Sequence, residues 1–236
     1  MQKKKFIISN DNFSIHINKK IFEPNLTTML LIEMAKRVIK KRDKVLDLGC
    51  GSGVIGCYLY KKKIIDHIYG SDISKEAVNC AIYNSKKLTQ RYDIRLSNSF
   101  SSWKDEKFDL IINDISGISP QINKISKWFE FAPNNSGNDG TKFTLNILKD
   151  FKNKTFNNAS LIFPVLGLSN RDKIINFLKQ NKINYKILLK KEWPLPKDLV
   201  KHLNILKKLK KENKINYYEK FSILFTTTEI FYLNKH

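Results

Sequence analysis

The chain has 236 residues, of which 42% are hydrophobic and 11% aromatic, enough apolar material for one domain with a full core. No apolar run approaches the ~20 residues that span a bilayer, and the lysine-rich start lacks the apolar core of a signal peptide. Composition therefore argues against a membrane-embedded or secreted protein, and we expect a cytoplasmic protein with no membrane partner.

The net charge of +21 is concentrated in the two ends of the chain. Residues 1–46 carry +7, residues 47–139 carry +1 and residues 140–236 carry +13. Such flanks are typical of proteins that bind RNA or an acidic protein. A compositional preference for lysine is the alternative, because only five of the 43 basic residues are arginine, the residue best suited to bidentate phosphate recognition.

The cysteines and histidines do not indicate a metal site. Cys50, Cys57 and Cys80 are odd in number and lack the spacing of metal ligands, which favours free, buried thiols in a reducing compartment. The four histidines lie in unrelated parts of the sequence. We therefore expect no bound metal.

The first part of the chain predicts a hairpin, a helix and then alternating strands and helices. Residues 5–9 and 13–17 are short β-type runs, and a helix is expected over 28–41 with Thr27 as its N-cap. Strands follow at 45–48, 67–71, 94–98 and 108–113, and the first and last of these are apolar runs, as expected of strands buried on both faces. Helices are predicted between them, over 54–60 and from Ser74 to about residue 87.

The second part continues the same alternation. Helices are predicted to begin at Ser119-Pro120, at Thr141 and after a capping box of Ser169 and Asp172, with a loop over 131–140. Strands are expected at 161–165 and 183–189, an amphipathic, lysine-faced helix at 198–213 and β-rich runs over 221–233. This order predicts an α/β fold with a doubly wound sheet. We expect residues 1–42 to form a hairpin and helix packed on a core domain of residues 43–236.

The sequence KVLDLGCGSGVIG, residues 44–56, is the strongest local signal. A strand runs into glycines and a helix, a turn that presents backbone N–H groups to a polar ligand. Gly51, Gly53 and Gly56 satisfy G-x-G-x-x-G with Asp72 19 residues beyond Gly53, which fits a nicotinamide dinucleotide. Asp47 argues against it, because a carboxylate there repels a diphosphate and attracts a cationic amino acid.

VLDLGCGSG resembles motif I of class I S-adenosylmethionine (SAM)-dependent methyltransferases. The resemblance implies a Rossmann-like seven-stranded sheet, mainly parallel with the last strand antiparallel, and SAM as cofactor. It implies that the glycine turn borders the amino-acid end of SAM, that Asp72 holds the ribose hydroxyls and that SNSF contacts adenine, with Asn98 in place of the usual aspartate. The implied cofactor-binding residues are Asp47, Gly49, Cys50, Gly51, Gly53, Asp72, Ile73, Asn98, Ser99 and Thr28.

The resemblance extends to the HemK/PrmC-type small-domain N-methyltransferases over roughly residues 5–233. IFEPNLTTMLLIEMA is similar to their entry segment, SGNDGTKFTLNILKDF to their glycine-rich loop and helix, and WPLPKDL to their tail. In those enzymes N-P-P-Y follows the fourth strand and holds the acceptor amide or amine. Here Asp114 stands at the asparagine position, and Ile115, Ser116 and Gly117 replace the rest.

From these residues we predict an enzyme that transfers a methyl group to a nitrogen atom, or another heteroatom, of a protein or RNA substrate. Asp114 is expected to orient the nucleophile and accept its proton, with Asn113 beside it; a strand-end carboxylate that only binds loop N–H groups is the alternative. Trp128 or Phe129 could supply the missing aromatic wall. A small-molecule methyltransferase, a nicotinamide oxidoreductase and a non-catalytic SAM-binding module remain as alternative functions.

Overall fold

The computed structural model describes residues 1–40, 43–115, 117–126, 128, 136–153 and 159–234. The strands are β1 (Gln2–Ile8), β2 (Asp11–Ile17), β3 (Val45–Leu48), β4 (Ile68–Asp72), β5 (Tyr92–Leu96), β6 (Leu110–Asn113), β7 (Ser160–Leu166), β8 (Tyr185–Pro194), β9 (Tyr218–Lys220) and β10 (Ile223–Asn234). The helices are α1 (Leu26–Val38), α2 (Val54–Lys61), α3 (Lys75–Lys86), α4 (Pro120–Ser126), α5 (Lys142–Asn153), α6 (Arg171–Gln180), α7 (Lys197–Val200) and α8 (Leu203–Lys211).

Seven strands form the central sheet in the order β5-β4-β3-β6-β7-β10-β8, and short β9 pairs with β10 beside them. The five strands β3 to β7 run parallel to one another, whereas β10 is antiparallel to both β7 and β8. All four residues of β3 and of β6 are buried, because these central strands are covered on both faces. The predicted seven-stranded, mainly parallel architecture is confirmed.

Apolar layers cover both faces of the sheet. On one face Val45, Ile68 and Ile112 join a cluster built with the β1–β2 hairpin, α1, α2 and α3. On the other face Leu46 and Phe163 belong to a cluster with α5 and α6. A third cluster joins α4, α7 and α8. The single helix expected over 198–213 is replaced by the two shorter helices α7 and α8. Residues 1–38 therefore share one core with the sheet, and a boundary at residue 42 stays a prediction.

Two helix starts differ from the sequence prediction. Asn25, not Thr27, caps α1, because its side-chain oxygen accepts hydrogen bonds from the N–H groups of Thr27 and Thr28. Asn170, not the Ser169–Asp172 pair, caps α6, while the hydroxyl of Ser169 donates to the Leu166 carbonyl. Asparagine accepts these N–H bonds as well as serine or threonine does, so residue type alone did not identify the cap. The Ser74 cap of α3 agrees with its prediction.

The carboxyl ends of β3, β4, β5 and β6 meet at one edge of the sheet because these strands are parallel. The glycine turn follows β3, Asp72 ends β4, Ser97 to Ser99 follow β5 and Asp114 follows β6. Ligands of open α/β sheets bind at this edge, in the crevice between the loops. The fold therefore brings together residues that are up to 65 positions apart in the sequence.

Candidate active site

The turn after β3 is held open by left-handed glycines. Gly49, Gly51 and Gly53 have φ angles of 77°, 53° and 76°. A Cβ atom on Gly49 would lie 2.2 Å from Cγ1 of Ile115, so this position has no room for a side chain. The N–H groups of Gly49 and Cys50 both donate to the Ser71 carbonyl, at 2.8 and 2.9 Å. The turn is thus tied to the end of β4.

Asp72 connects the glycine turn to the start of α3. Its Oδ2 accepts a hydrogen bond from the Gly51 N–H at 3.0 Å, and its Oδ1 accepts one from the Ser74 N–H at 2.9 Å. Burial raises the pKa of this carboxyl, while the N–H groups of Ser74 and Gly51 oppose the rise. A carboxylate oxygen has more than one lone pair, so Asp72 can still accept hydrogen bonds from a ligand in the cavity.

The segment after β5 forms the next part of the cavity wall. Asn98 is exposed, and its backbone N–H donates to the Ser101 hydroxyl at 3.2 Å. Ser99 has a left-handed backbone, with a φ of 53°, and its hydroxyl donates to Asp150 of α5 at 3.0 Å. Ile73, next to Asp72, is 54% exposed although it is a large apolar residue. Together these residues offer an apolar surface beside an amide.

Asp114 pairs with a residue from the opposite side of the cavity. The hydroxyl of Thr28, in the first turn of α1, donates to Oδ2 of Asp114 at 2.7 Å. Asp114 is partly accessible from the cavity, yet protein surrounds it, and burial raises its pKa to about 7 against the opposing Thr28 hydrogen bond. The two residues are 86 positions apart, and the family resemblance implied a cofactor contact for Thr28 rather than a hydrogen bond to Asp114.

Three of the predicted site residues do not line the cavity. Asn113 is buried, and its side chain binds both the N–H and the carbonyl of Ile115, which fixes the loop after β6. Asp47 is 2% exposed; burial and the charge of Asp114 raise its pKa well above the usual range, against the opposing effect of the Gly56 N–H. Gly53 packs against Ala81 of α3. Their predicted roles in binding and catalysis stay predictions.

The other predicted residues surround one cavity of about 510 Å³. Its wall includes Thr28, Gly49, Cys50, Gly51, Asp72, Ile73, Asn98, Ser99 and Asp114. Burial raises the pKa of the Cys50 thiol well above its ordinary value, which leaves it uncharged and a poor nucleophile. All three cysteines are free and buried. The described residues contain no group of three or more His, Cys, Asp or Glu side chains that could hold a metal ion.

Aromatic residues from the distal strands and loops complete the wall, and most of them were missed in the sequence. Trp193 of β8 lies 6.2 Å from Trp128, centroid to centroid, and its ring N–H donates to Thr228 of β10 at 3.0 Å. Both tryptophans, Thr228 and Phe143 of α5 line the cavity. Trp128 therefore occupies the wall position considered for it, whereas Phe129 lies outside the described residues. Trp193 reaches the wall through strand pairing, which leaves no local sequence signal.

The loop after Asp114 is packed against the glycine-rich segment 136–140. A Cβ atom on Gly117 would lie 2.3 Å from the Gly140 carbonyl oxygen, so the position taken by the aromatic residue in the N-P-P-Y pattern has no room here. In the same segment Asp139 accepts hydrogen bonds from the N–H and hydroxyl of Thr141 and a 2.8 Å bond from Lys173. This segment supports the loop that carries Asp114; Ser116 lies outside the described residues.

A family comparison matches the part of the chain that contains the glycine turn, Asp72 and Asp114. Residues 23–114 match the methyltransferase small domain family. A release factor glutamine methyltransferase of Borreliella burgdorferi is 32% identical over 173 residues, covering 69% of this chain and 57% of the relative. A ribosomal protein L11 methyltransferase of Thermosipho melanesiensis is 37% identical over 89 residues, covering 38% and 34%. The chain thus spans less than two thirds of the length of either relative.

A solved structure agrees with the fold. The Mtq2–Trm112 complex of E. cuniculi, which is described as responsible for methylation of the translation termination factor eRF1, superposes with a TM-score of 0.57. The match covers 92% of this chain and 99% of the compared chain at 14% sequence identity. At that identity the likeness establishes the fold alone.

Proposed function

The chain belongs to the class I SAM-dependent methyltransferases, and we propose that it transfers the methyl group of SAM to a nitrogen nucleophile of a protein. The observation that carries this proposal is that Asp72, the glycine turn and Asp114 line one cavity at the carboxyl edge of the sheet. The cofactor-binding end and the acceptor-binding end of a methyl transfer must meet in one space.

The residues present fit SAM. Asp72 offers a carboxylate to the ribose hydroxyls, and an added Cβ on Gly51 would meet no atom within 4 Å, so the backbone there is open to a ligand. Ile73 supplies apolar surface and Asn98 an amide for the adenine. Cys50 and Gly49 border the amino-acid end, and Ser99 holds the adenine loop in place through Asp150. Bound SAM supplies an electrophilic methyl group on a sulfonium.

The remaining predicted residues act from behind this wall in our proposal. Asn113 holds the loop that carries Asp114, and Gly53 allows α2 and α3 to pack closely. Asp47 takes a supporting position behind the glycine turn, where burial raises the pKa of its carboxyl. Asp114, positioned by Thr28, faces the acceptor and orients its nitrogen.

A protein acceptor is supported by the two curated relatives, which are named for release factor and ribosomal protein substrates. The basic flanks make RNA the second candidate, because lysine-rich surfaces attract polyanions. The relatives do not support a nicotinamide cofactor. In the described structure no helix is long and apolar enough to cross a membrane, and we propose that the reaction takes place in the cytoplasm.

Replacement of Asp72 by alanine tests the cofactor site. We expect S-adenosylhomocysteine binding, measured by calorimetry, to weaken by about 1.5–3 kcal/mol, the value of hydrogen bonds to a charged group. Asp66→Ala is the control, because Asp66 is exposed just before the opposite end of the same strand. Unchanged binding in a folded Asp72→Ala protein would contradict the ribose assignment. Circular dichroism of the variant distinguishes a weakened ligand contact from a loss of folded structure.

The acceptor class is tested by transfer of the methyl label from SAM into separated protein, RNA and small-molecule fractions. We expect label in the protein fraction. Label in RNA alone would favour the second candidate, and label in small molecules alone would favour a metabolite methyltransferase. Absence of any transfer, with no binding of SAM, would overturn the proposed activity.

A further inference from the structure

Residues 195–223, which form α7, α8, β9 and the turn before β10, carry a dense positive charge. They contain eight lysines against three acidic residues, a net charge of +5 on 29 residues, about twice the charge density of the whole chain. Two of the three acids are already paired within the segment, Asp198 with Lys201 and Glu212 with Lys214. In the described structure, most of the lysine charge of this segment is therefore available to a partner from outside.

One side of α8 packs into the core and the other carries lysines. Leu206 and Leu209 are buried in the third cluster. The exposed side is called the lysine face: Lys207, Lys208, Lys210 and Lys211. The described structure gives Lys207 and Lys211 no ion pair, although they lie about one helical turn apart, and like charges at that spacing destabilise a helix. A bound polyanion relieves this repulsion.

The turn between β9 and β10 presents a phenylalanine to solvent. Ile223 pairs with Lys220, so Phe221 and Ser222 form a two-residue turn, and both have left-handed backbones, with φ angles of 52° and 58°. Glycine and asparagine tolerate this conformation, whereas a bulky side chain in it is strained. Phe221 is nonetheless 86% exposed, with the ammonium of Lys220 5.8 Å from its ring centroid. Strain that the surrounding packing does not explain is typical of a functional contact.

The lysine face and this turn lie close together. Lys210 of α8 donates a hydrogen bond to the Tyr217 carbonyl at 2.6 Å, and its ammonium lies 4.7 Å from the centroid of the Tyr217 ring. Tyr217 also packs in the third cluster, and the chain continues from it directly into β9. Phe221 follows four residues later, at most roughly 15 Å away. The exposed ring therefore lies near the point where α8 contacts β9.

We propose that the lysine face and the β9–β10 turn together bind a single-stranded nucleic acid, with its phosphates on the lysines and a base stacked on Phe221. Positive surfaces combined with exposed aromatic rings bind single strands with little dependence on sequence. The described lining of the cavity includes none of these residues, so this is a second surface. The proposal holds for any methyl acceptor and does not depend on the cofactor.

A lipid surface and an acidic protein are the other anionic partners that a basic surface attracts. An amphipathic helix binds lipid by burying its apolar face in the membrane, and the apolar face of α8 is already buried in the third cluster. An acidic protein pairs with the lysines but must also supply a pocket for the Phe221 ring. A nucleic acid supplies phosphates and flat aromatic bases in one molecule, so it satisfies both features at once.

Fluorescence anisotropy with labelled oligouridine and oligothymidine, each about 12 nucleotides long, measures the binding between ~50 and ~200 mM salt. We expect the double variant Lys207→Gln/Lys211→Gln to bind about 10-fold or more weakly at the lower salt. The slope of log affinity against log salt should also fall by about 1.4, because two phosphate contacts are lost. Lys104→Gln/Lys107→Gln is the control, since it removes the same charge from exposed positions between β5 and β6. It should change affinity less than about 2-fold.

Replacement of Phe221 tests the stacked base. Asparagine suits a left-handed turn, so Phe221→Asn preserves the hairpin while it removes the ring. We expect about 10-fold weaker binding with an unchanged salt slope, because stacking does not release counterions. Phe221→Tyr should keep the wild-type affinity, and Phe221→Leu, which is apolar without an aromatic face, should bind as weakly as Phe221→Asn.

The outcomes separate the possible partners. Tighter binding of oligouridine identifies RNA as the ligand, and tighter binding of oligothymidine identifies DNA. Equal losses in the two lysine double variants, or unchanged affinity in Phe221→Asn, show only general attraction to a basic protein and overturn the proposal. Binding to phosphatidylserine–phosphatidylcholine vesicles that Phe221→Leu retains, without binding to either oligonucleotide, overturns it in favour of a membrane. Displacement of the oligonucleotide by polyglutamate at equal charge concentration overturns it in favour of an acidic protein.

Discussion

Ionisation of Asp114 links the site to the pH dependence of stability. Its carboxyl is surrounded by protein, and its Oδ2 accepts a hydrogen bond from the neutral hydroxyl of Thr28. Its pKa rises from 3.8 to about 7 on folding, so the folded protein retains a proton that the unfolded chain releases. The contribution of the Asp114 carboxyl to the free energy of unfolding is fully present below pH ~4. It is lost as the pH rises towards 7 and stays lost above that pH.

We therefore expect Asp114→Asn to stabilise the protein at neutral pH. Each pKa unit is worth ~1.4 kcal/mol, and partial access from the cavity reduces the full value, so a gain of about 2–4 kcal/mol is expected at pH 8 with little gain at pH 4. Urea unfolding of both proteins at the two pH values measures it. Asp66→Asn, at an exposed position, should show no such difference; an equal gain at both pH values in Asp114→Asn would exclude the titration as the cause.

The start of α1 is the element that connects helix stability to the site. Asn25 accepts hydrogen bonds from Thr27 and Thr28, and the Asn25 N–H donates to the Thr28 hydroxyl at 3.4 Å. Thr28 in turn holds Asp114. The cap therefore does more than satisfy helix N–H groups, because it orients the hydroxyl that reaches across the cavity.

Asn25→Ala should cost about 1 kcal/mol of folding free energy, the usual value of an N-cap, whereas Asn25→Ser should cost a few tenths. Urea unfolding at pH 7 measures both. The asparagine is exposed, so lost packing contributes little. Similar losses in the alanine and serine variants would show that the cap is not the source of the effect.

At the scale of the whole molecule, Asn84 of α3 joins the N-terminal hairpin to the core. Its Oδ1 accepts from the His16 N–H at 3.0 Å, and its Nδ2 donates to the carbonyls of His16 and Ser52 at 2.8 and 2.9 Å. Ser52 lies in the glycine turn. One buried amide thus connects the hairpin, α3 and the glycine turn.

We expect Asn84→Ala to destabilise the protein by about 1–3 kcal/mol, because buried backbone groups of His16 and Ser52 lose their partner. Urea unfolding should remain a single transition if residues 1–38 and the sheet share one core. Asn204→Ala, on the exposed side of α8, is the control and should change stability by less than about 0.5 kcal/mol. A separate early transition in Asn84→Ala would instead support an independent N-terminal unit.

The sequence alone predicted the part of the cavity that we propose binds the cofactor. The strand–glycine–helix order around Gly49 and Gly51, and the position of Asp72 at the end of the next strand, are local patterns, and parallel strands bring their carboxyl ends to one edge without further information. The approximate positions of the seven main strands were predicted from local β-type runs in the sequence. These features depend on neighbours within a few residues or on a general rule of sheet construction.

The tertiary structure alone decided the opposite part of the cavity, which we propose faces the methyl acceptor. The Thr28–Asp114 hydrogen bond and the place of Trp193 beside Trp128 join residues that are far apart in the sequence, so they depend on how α1 and the antiparallel strands β8 and β10 pack around the cavity. The absence of basic side chains among the described lining residues is likewise a property of the packed surface, because composition gives a net charge but not its position.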